Sequence, residues 1–321
     1  MESLSKLAVS RDAAAAVVAD AFPGCALATY RELTEGFYNA AYLIELDSGQ
    51  RYVLKVAPPD TLRVLRYERD IMAAEVAALR LAAAHTTMPV PEVYTFDTSR
   101  RLLPSPYMLM TFLPGEPLHH LRPALAPASQ AAIDQALGSY MAQLHTVGGP
   151  AFGPLAHPSP PDLLWRQVFL GLLGDVLADG REAGVTLPLA PEAIMARAEA
   201  WAGALDAVRE PRLVHWDLWD GNVFVEPETG RVSGIIDFER ALWADPLMEF
   251  QFREFAVGDA FAAGYGPNLL DSPEAHRRRT LYNLYLYLIM VIECTYRRYP
   301  SDDQERWARE RLDETLGSFE F

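Results

Sequence analysis

Cysteine is scarce in this 321-residue sequence. Cys25 and Cys294 lie far apart with no Cys-x-x-Cys pair, which excludes a disulfide scaffold or thiolate metal site and fits a reducing cytoplasm. Basic residues are also in deficit: 28 Lys and Arg face 43 Asp and Glu, for a formal net charge of -15. A surface this negative repels phosphate backbones, so no nucleic-acid partner is expected without a basic patch, and none is visible. The same charge attracts cations. The most apolar stretch, Leu281 to Val291, is too short to span a bilayer and carries Asn283 and three tyrosines, so it reads as a buried helix. The N-terminus has neither the charged start nor the apolar core of a signal peptide. The expectation is a cytoplasmic protein with no membrane partner.

What is present is a globular composition, 50% hydrophobic and 22% charged, in a chain long enough for two lobes sharing a cleft. Ala40 to Leu46 and Arg51 to Ala57 read as strands around the turn Asp47-Ser48-Gly49-Gln50. In the second strand Val53, Lys55 and Ala57 share a face, which sets one lysine among apolar neighbours. Arg66 to Ala84 is alanine-rich without internal Gly or Pro and predicts a helix, closed by Pro89-Val90-Pro91. Val93 to Phe96 and Tyr107 to Phe112 predict two more strands. Pro114-Gly115-Glu116-Pro117 reads as a linker, dividing the chain into residues 1–113 and a mostly helical part, 114–321. Helices are expected over Gln130–His145, Asp162–Ala178, Pro191–Val208, Arg277–Arg297 and Asp302–Leu316, with a β-turn-β element at Val223–Val225 and Val232–Ile236.

The chemistry concentrates in His215-x-Asp217-x₄-Asn222, which follows the apolar Leu213-Val214. Phosphoryl transfer needs phosphates held, their charge offset by Mg²⁺, and an acceptor hydroxyl set near a base. Asp217 suits the base, and Asn222 is a neutral oxygen donor for Mg²⁺. Fifteen residues after Asn222, Ile235-Ile236-Asp237-Phe238 ends an apolar strand on a carboxylate. The β-turn-β element returns Asn222 and Asp237 to the same end of a hairpin, where both could chelate one metal. A buried Lys55 needs a partner. Glu75 on the predicted helix has the more interior setting, and Glu68 is its rival.

These segments resemble the aminoglycoside phosphotransferase family, the small-molecule branch of the protein-kinase-like fold, from about Leu33 to Phe250. Tyr67 to Val76 with Pro89-Val90-Pro91 is similar to the family's helix and its exit, and Leu144-His145 to its Leu-His pair. The resemblance implies an α+β, two-lobed protein-kinase-like fold: an N-terminal five-stranded antiparallel sheet plus one principal helix, then a helical C-terminal lobe. It implies ATP or GTP as donor, with Lys55 and Glu75 at the phosphates. Along Tyr107 to Gly115, it implies that Thr111 and Leu113 offer backbone groups to the base while Met110 lines the pocket. The family's glycine-rich loop is reduced to Gly36-Phe37-Tyr38-Asn39, where Gly36 can turn tightly and Asn39 tolerates unusual φ. Glu239 follows Asp237-Phe238 in place of Gly and offers metal or neighbouring charge, or a cap. No Ala-Pro-Glu follows, and too little chain remains for a phosphorylatable loop, which points away from protein substrates.

His145 and His215 read as hydrogen-bonded braces, and His119-His120 as solvated. Trp216, Trp219 and Trp243 serve either packing or, for Trp219, stacking on the acceptor. Asp245, Glu249, Glu254 and Asp259 are either a solvated helix face or, with Glu249, a grip on a cationic amino sugar. The expected activity is transfer of a nucleotide γ-phosphoryl group to a hydroxyl of a small acceptor, an aminoglycoside being the cationic candidate. The alternatives are macrolide, choline-like or homoserine-like acceptors, or a nucleotide-holding protein without catalysis.

Overall fold

The computed structural model describes residues 6–34, 36, 38–253, 258–266, 272–299 and 301–320. Phe37 and Glu254 lie outside the described residues. The chain begins with helix α1 (Arg11–Ala21), capped by Ser10 through the backbone N–H of Ala13, and strand β1 (Leu27–Leu33). Then come β2 (Ala40–Leu46), β3 (Arg51–Val56), α2 (Ile71–His85), β4 (Val93–Asp97) and β5 (Tyr107–Thr111). The strands form one antiparallel sheet in the order β1-β2-β3-β5-β4.

Strand alternation gives this sheet two apolar faces. Tyr52, Leu54 and Val56 of β3 join Ile44, Leu109 and the α1 residues Val17 and Val18 in one core. The opposite face, with Val53, Met108 and Met110, packs on Met72, Val76 and Leu79 of α2 and runs into the core of the helical part. Lys55 shares this second face.

Two expectations shift here. Helix α1 was not anticipated, so α2 is not alone on the sheet. The helix expected from Arg66 begins only at Ile71, behind a single 3₁₀ turn at Arg66–Glu68. Arg66 is drawn to Asp179, Glu68 to Arg297, and Asp70 takes φ 54°, so tertiary ion pairs and a left-handed residue override local helix propensity.

The remainder contains β6 (Glu116–Pro117), α3 (Leu118–Leu121), α4 (Pro127–Leu144), β7 (Gly153–Pro154), α5 (Trp165–Ala183) and α6 (Pro191–Trp201). Beyond Trp201 the expected helix tightens into a 3₁₀ run, Ala202–Ala207. Strands β8 (Arg212–Val214), β9 (Val223–Val225), β10 (Val232–Ile235) and β11 (Leu242–Ala244) follow, then α7 (Asp259–Tyr265), α8 (Pro273–Arg297) and α9 (Asp303–Gly317). They form two small sheets, β10-β9-β6 and β7-β11-β8. Leu281 to Val291 lies within α8 and is largely buried. No helix among the described residues is long and apolar enough to cross a membrane.

Candidate active site

Strand β8 delivers the chain into a tight loop at His215. Trp216 adopts φ 55°, a left-handed conformation that costs a non-glycine residue free energy. Two contacts hold it: its indole stacks on Tyr285 with centroids 5.1 Å apart, and Glu249 accepts from the backbone N–H groups of His215 at 2.8 Å and Trp216 at 3.2 Å. Glu249 is fully buried, and His145 lies 3.5 Å from the same carboxylate while contacting the Tyr265 hydroxyl at 2.7 Å. Glu249 is therefore a buried brace beneath the loop.

His215 Nδ1 accepts from the Asp217 N–H at 3.1 Å, which assigns the ring proton to Nε2, donating to the Ile236 carbonyl at 3.0 Å. Asn222 Nδ2 donates to the Asp217 carbonyl at 2.9 Å and to its Oδ2 at 3.1 Å. The Asp217 carboxyl is thereby fixed in direction. Burial pushes its pKa well above the ordinary range; Arg240 opposes that shift, while Asp237 and Glu239 reinforce it.

The hairpin behaves as its register demands. Ile235 pairs with Val223, and the Ile236 N–H donates to the Asn222 carbonyl at 3.0 Å, so Asn222 and Asp237 end adjacent strands side by side. Asp237 has φ 67°, turning the chain out of β10 and into the 3₁₀ turn Phe238–Arg240. Lys55, one of two lysines in the chain with Lys6, reaches this turn from the sheet. Its Nζ lies 2.7 Å from Glu75, 2.8 Å from Asp237 and 3.5 Å from Glu239. The structure thus joins Lys55 to Glu75, whereas Glu68 pairs with Arg297 at 2.6 Å.

Three carboxylates around one ammonium leave an excess of negative charge. Burial would strip the proton from Lys55, yet Asp237, Glu75 and Glu239 hold its pKa well above normal. Burial pushes Glu75 up to about 8 against the pull of Lys55, and it pushes Glu239 up as well. For Asp237 burial is opposed by the charge and hydrogen bond of Lys55 and by His215 and Arg240, which together lower its pKa. Glu75, Asp237 and Glu239 each present an oxygen within 4.8 Å of the others. Hard carboxylate oxygens and the amide oxygen of Asn222 are the donors a magnesium ion takes, and the surplus charge suits a cation.

The remaining expected residues are less convergent. Asn39 is buried and donates from Nδ2 to Glu239 at 2.7 Å, tying the Tyr38–Asn39 turn to the Asp237 turn. Gly36 has open space where a Cβ would stand, 3.8 Å from the Asn39 carbonyl. Met110 is buried in β5, with its side chain on the Lys55 face. Thr111 already spends its N–H on the Glu92 carbonyl at 2.9 Å, and its hydroxyl accepts from Glu92 N at 3.0 Å. Leu113 lies against Gly234 of β10, where a Cβ would collide with it. Trp219 is 41% exposed, with its indole centroid 5.4 Å from that of His119. Its ring lies flat on Gly221, which has no room for a side chain. Arg122 anchors this rim through Asp220 and, at 2.8 Å, Asp134. That anchor and the nearness of His119 join residues about 100 apart in sequence and leave no local pattern. Trp216 and Trp243 are packing residues.

Sheet, hinge and helical part with a Lys–Glu pair above an Asp–Asn–Asp loop define a two-lobed, protein-kinase-like protein. The model of the phosphotransferase enzyme family matches residues 29–280, and the chain belongs to that family. A probable acyl-CoA dehydrogenase of Arabidopsis thaliana is 29% identical over 68% of this chain, which spans only 26% of that relative's length. A probable ketoamine kinase of Vibrio parahaemolyticus is 26% identical over 79% of this chain and 82% of its own. Among solved structures, a thermostable mutant of aminoglycoside phosphotransferase APH(4)-Ia, in ternary complex with AMP-PNP and hygromycin B, shares the fold. It superposes with a TM-score of 0.65 at 19% identity, over 95% of this chain and 98% of the other.

Proposed function

We propose that the chain is a small-molecule kinase whose acceptor is a neutral or weakly charged polyhydroxylated metabolite, of ketoamine type, in preference to a polycationic antibiotic. The observation that carries the acceptor reading is the burial of Asp245 and Glu249 in the acidic stretch, of which Asp259 stays exposed. Glu249 is consumed beneath the loop, and Asp245 is buried against Arg278 at 2.7 Å and the Tyr282 hydroxyl at 2.7 Å. Neither is left to grip amino groups. What the loop does present is the exposed Trp219, a face for a sugar-like ring. The match to a probable ketoamine kinase over most of both chains supports the same reading.

In this mechanism Lys55, oriented by Glu75, holds the α- and β-phosphate oxygens of ATP or GTP between the Gly36–Asn39 turn and the hinge at Met110, Thr111 and Leu113. Asn222 and Asp237 would hold a Mg²⁺ ion, which would supply positive charge to offset that of the phosphates. Asp217 takes the proton of the acceptor hydroxyl as its oxygen bonds to the γ-phosphorus and the bond to the β-phosphate oxygen breaks. Nucleoside diphosphate and a phosphate monoester leave. Residues 1–113 and 114–321 supply the two walls of the cleft.

A panel measuring ADP and GDP release tests this with fructosamine-type ketoamines, aminoglycosides, macrolides, choline-like amines and homoserine-like acceptors. Release with a ketoamine and none with aminoglycosides is expected. Turnover confined to aminoglycosides would overturn the acceptor reading, and nucleotide binding without transfer to any acceptor would favour the non-catalytic alternative.

A further inference from the structure

The site just described is assembled from three chain segments far apart in sequence: the Tyr38–Asn39 turn, the lead into α2, and the turn Asp237–Arg240. All three converge on one short stretch of α8. Glu68, directly before α2, meets Arg297 at 2.6 Å. Arg297 lies 3.4 Å from Glu293 one helical turn earlier, and Glu293 meets Arg240 at 3.1 Å. Tyr38 lies beneath the Arg297 guanidinium at 5.1 Å, and Tyr67 beneath that of Arg240 at 5.7 Å. The four charges balance, and their side chains are at most 9% exposed.

We infer that Glu293 and Arg297 are positioning residues for the phosphate site, fixing its three segments against one another. This rests on the reading of Lys55 and its carboxylates as that site. Lys55 needs Glu75 from α2 and Asp237 and Glu239 from the turn at fixed spacing. Glu75 is set within α2, but neither the lead into that helix nor the turn at Asp237 is held by a regular helix or strand. The α2 lead is a single 3₁₀ turn, and Asp237 sits in a left-handed conformation. Two charges four residues apart on a rigid helix supply the missing reference. Arg240 ties down the turn one residue after Glu239, and Glu68 ties down the helix carrying Glu75. Tyr38 adjoins Asn39, which bonds Glu239. A buried chain of alternating charges tolerates little displacement, because any member left without its partner faces the cost of an uncompensated buried charge.

Glu293→Gln keeps the shape of the side chain and leaves Arg240 and Arg297 without the anion between them. Calorimetric titration with Mg²⁺ and AMP-PNP at 20 °C, beside the thermal midpoint, separates positioning from bulk stability. The expected result is an AMP-PNP Kd about tenfold weaker, a change of about 1.4 kcal/mol. Gln304→Ala removes only the 3.1 Å hydrogen bond to the outer oxygen of Glu293 and is expected to weaken binding about two- to threefold. It carries the test should Glu293→Gln not fold. Arg309→Gln, which breaks the 2.7 Å pair with Glu305 on α9, is the control. It should lower the midpoint with Kd unchanged. An unchanged Kd in Glu293→Gln, or in Gln304→Ala where that variant decides, would overturn the inference while wild type binds. A wild-type protein that does not bind AMP-PNP would instead reject the proposed function itself.

Discussion

Asp217 is held from within its own loop: Asn222 fixes the carboxyl from one side and His215 fixes the backbone behind it. Asp217→Asn should lower turnover by ~10²–10⁴-fold while AMP-PNP binding survives, the range for loss of a general base. Near-normal turnover would refute the role. The pH dependence follows from the sign of the Asp217 shift. Burial, chiefly, raises its pKa, and only the carboxylate accepts a proton. Activity should therefore fall on acidification at a pH above that at which an ordinary aspartate titrates, as a rate profile in kcat would show. Glu249 behaves oppositely. Burial alone would raise its pKa, but the hydrogen bond from His145 and the proximity of His215 lower it. Its folded pKa lies below the unfolded one, so it contributes stability at neutral pH that is lost as pH falls through the folded value. Glu249→Gln should cost about 1.5–3 kcal/mol at pH 7 by denaturant titration and flatten the acid limb. Trp219→Ala, at an exposed position, should raise acceptor KM roughly tenfold with little change in midpoint. An unchanged KM would remove Trp219 from the acceptor site. That Asp217, Asn222 and Asp237 meet was legible because short fixed spacings around one hairpin bring them together, and Lys55 was legible as a lone lysine among apolar strand neighbours. Glu249 was misread because its acidity suggested a surface, and only the fold shows it beneath Trp216.

At the scale of elements, strands and helices followed apolar periodicity closely, and the departures have physical causes. The Arg66 start of α2 failed because propensity cannot see Asp179 or Arg297, whose contacts hold Arg66 and Glu68 outside the helix. The end of the helix beginning at Pro191 tightened into 3₁₀ geometry that alanine content does not predict. The close crossing of α4 and α7 was equally invisible. Gly138 and Gly264 sit where a Cβ would run into the backbone of Phe261 and Gln135 respectively. Gly138→Ala should therefore destabilise by about 1–3 kcal/mol despite its better helix propensity, as a chemical melt would record. A stabilised variant would mean the helices are not packed this tightly.

Across the molecule, the two lobes read from the sequence are not independent bodies. Met72, Val76 and Leu79 of α2 belong to the same core as Leu137, Met141 and Leu144 of α4. Arg63 meets Glu182 at 3.2 Å, and Asp70 meets His157 at 2.7 Å, across the same seam. Calorimetric unfolding should therefore give a single transition, and two resolved transitions would contradict a shared core. Lys55, paired with Glu75 in the N-terminal part, also reaches across this seam to Asp237 at 2.8 Å. We propose that this site moves a phosphoryl group to a small hydroxyl under the control of Asp217. The most direct measurement is the ³¹P NMR spectrum of a reaction containing ATP, Mg²⁺ and a fructosamine-type ketoamine. The account predicts a new phosphate-monoester signal growing with ADP in wild type and absent in Asp217→Asn; ADP with inorganic phosphate alone, or the same monoester in both proteins, would contradict it.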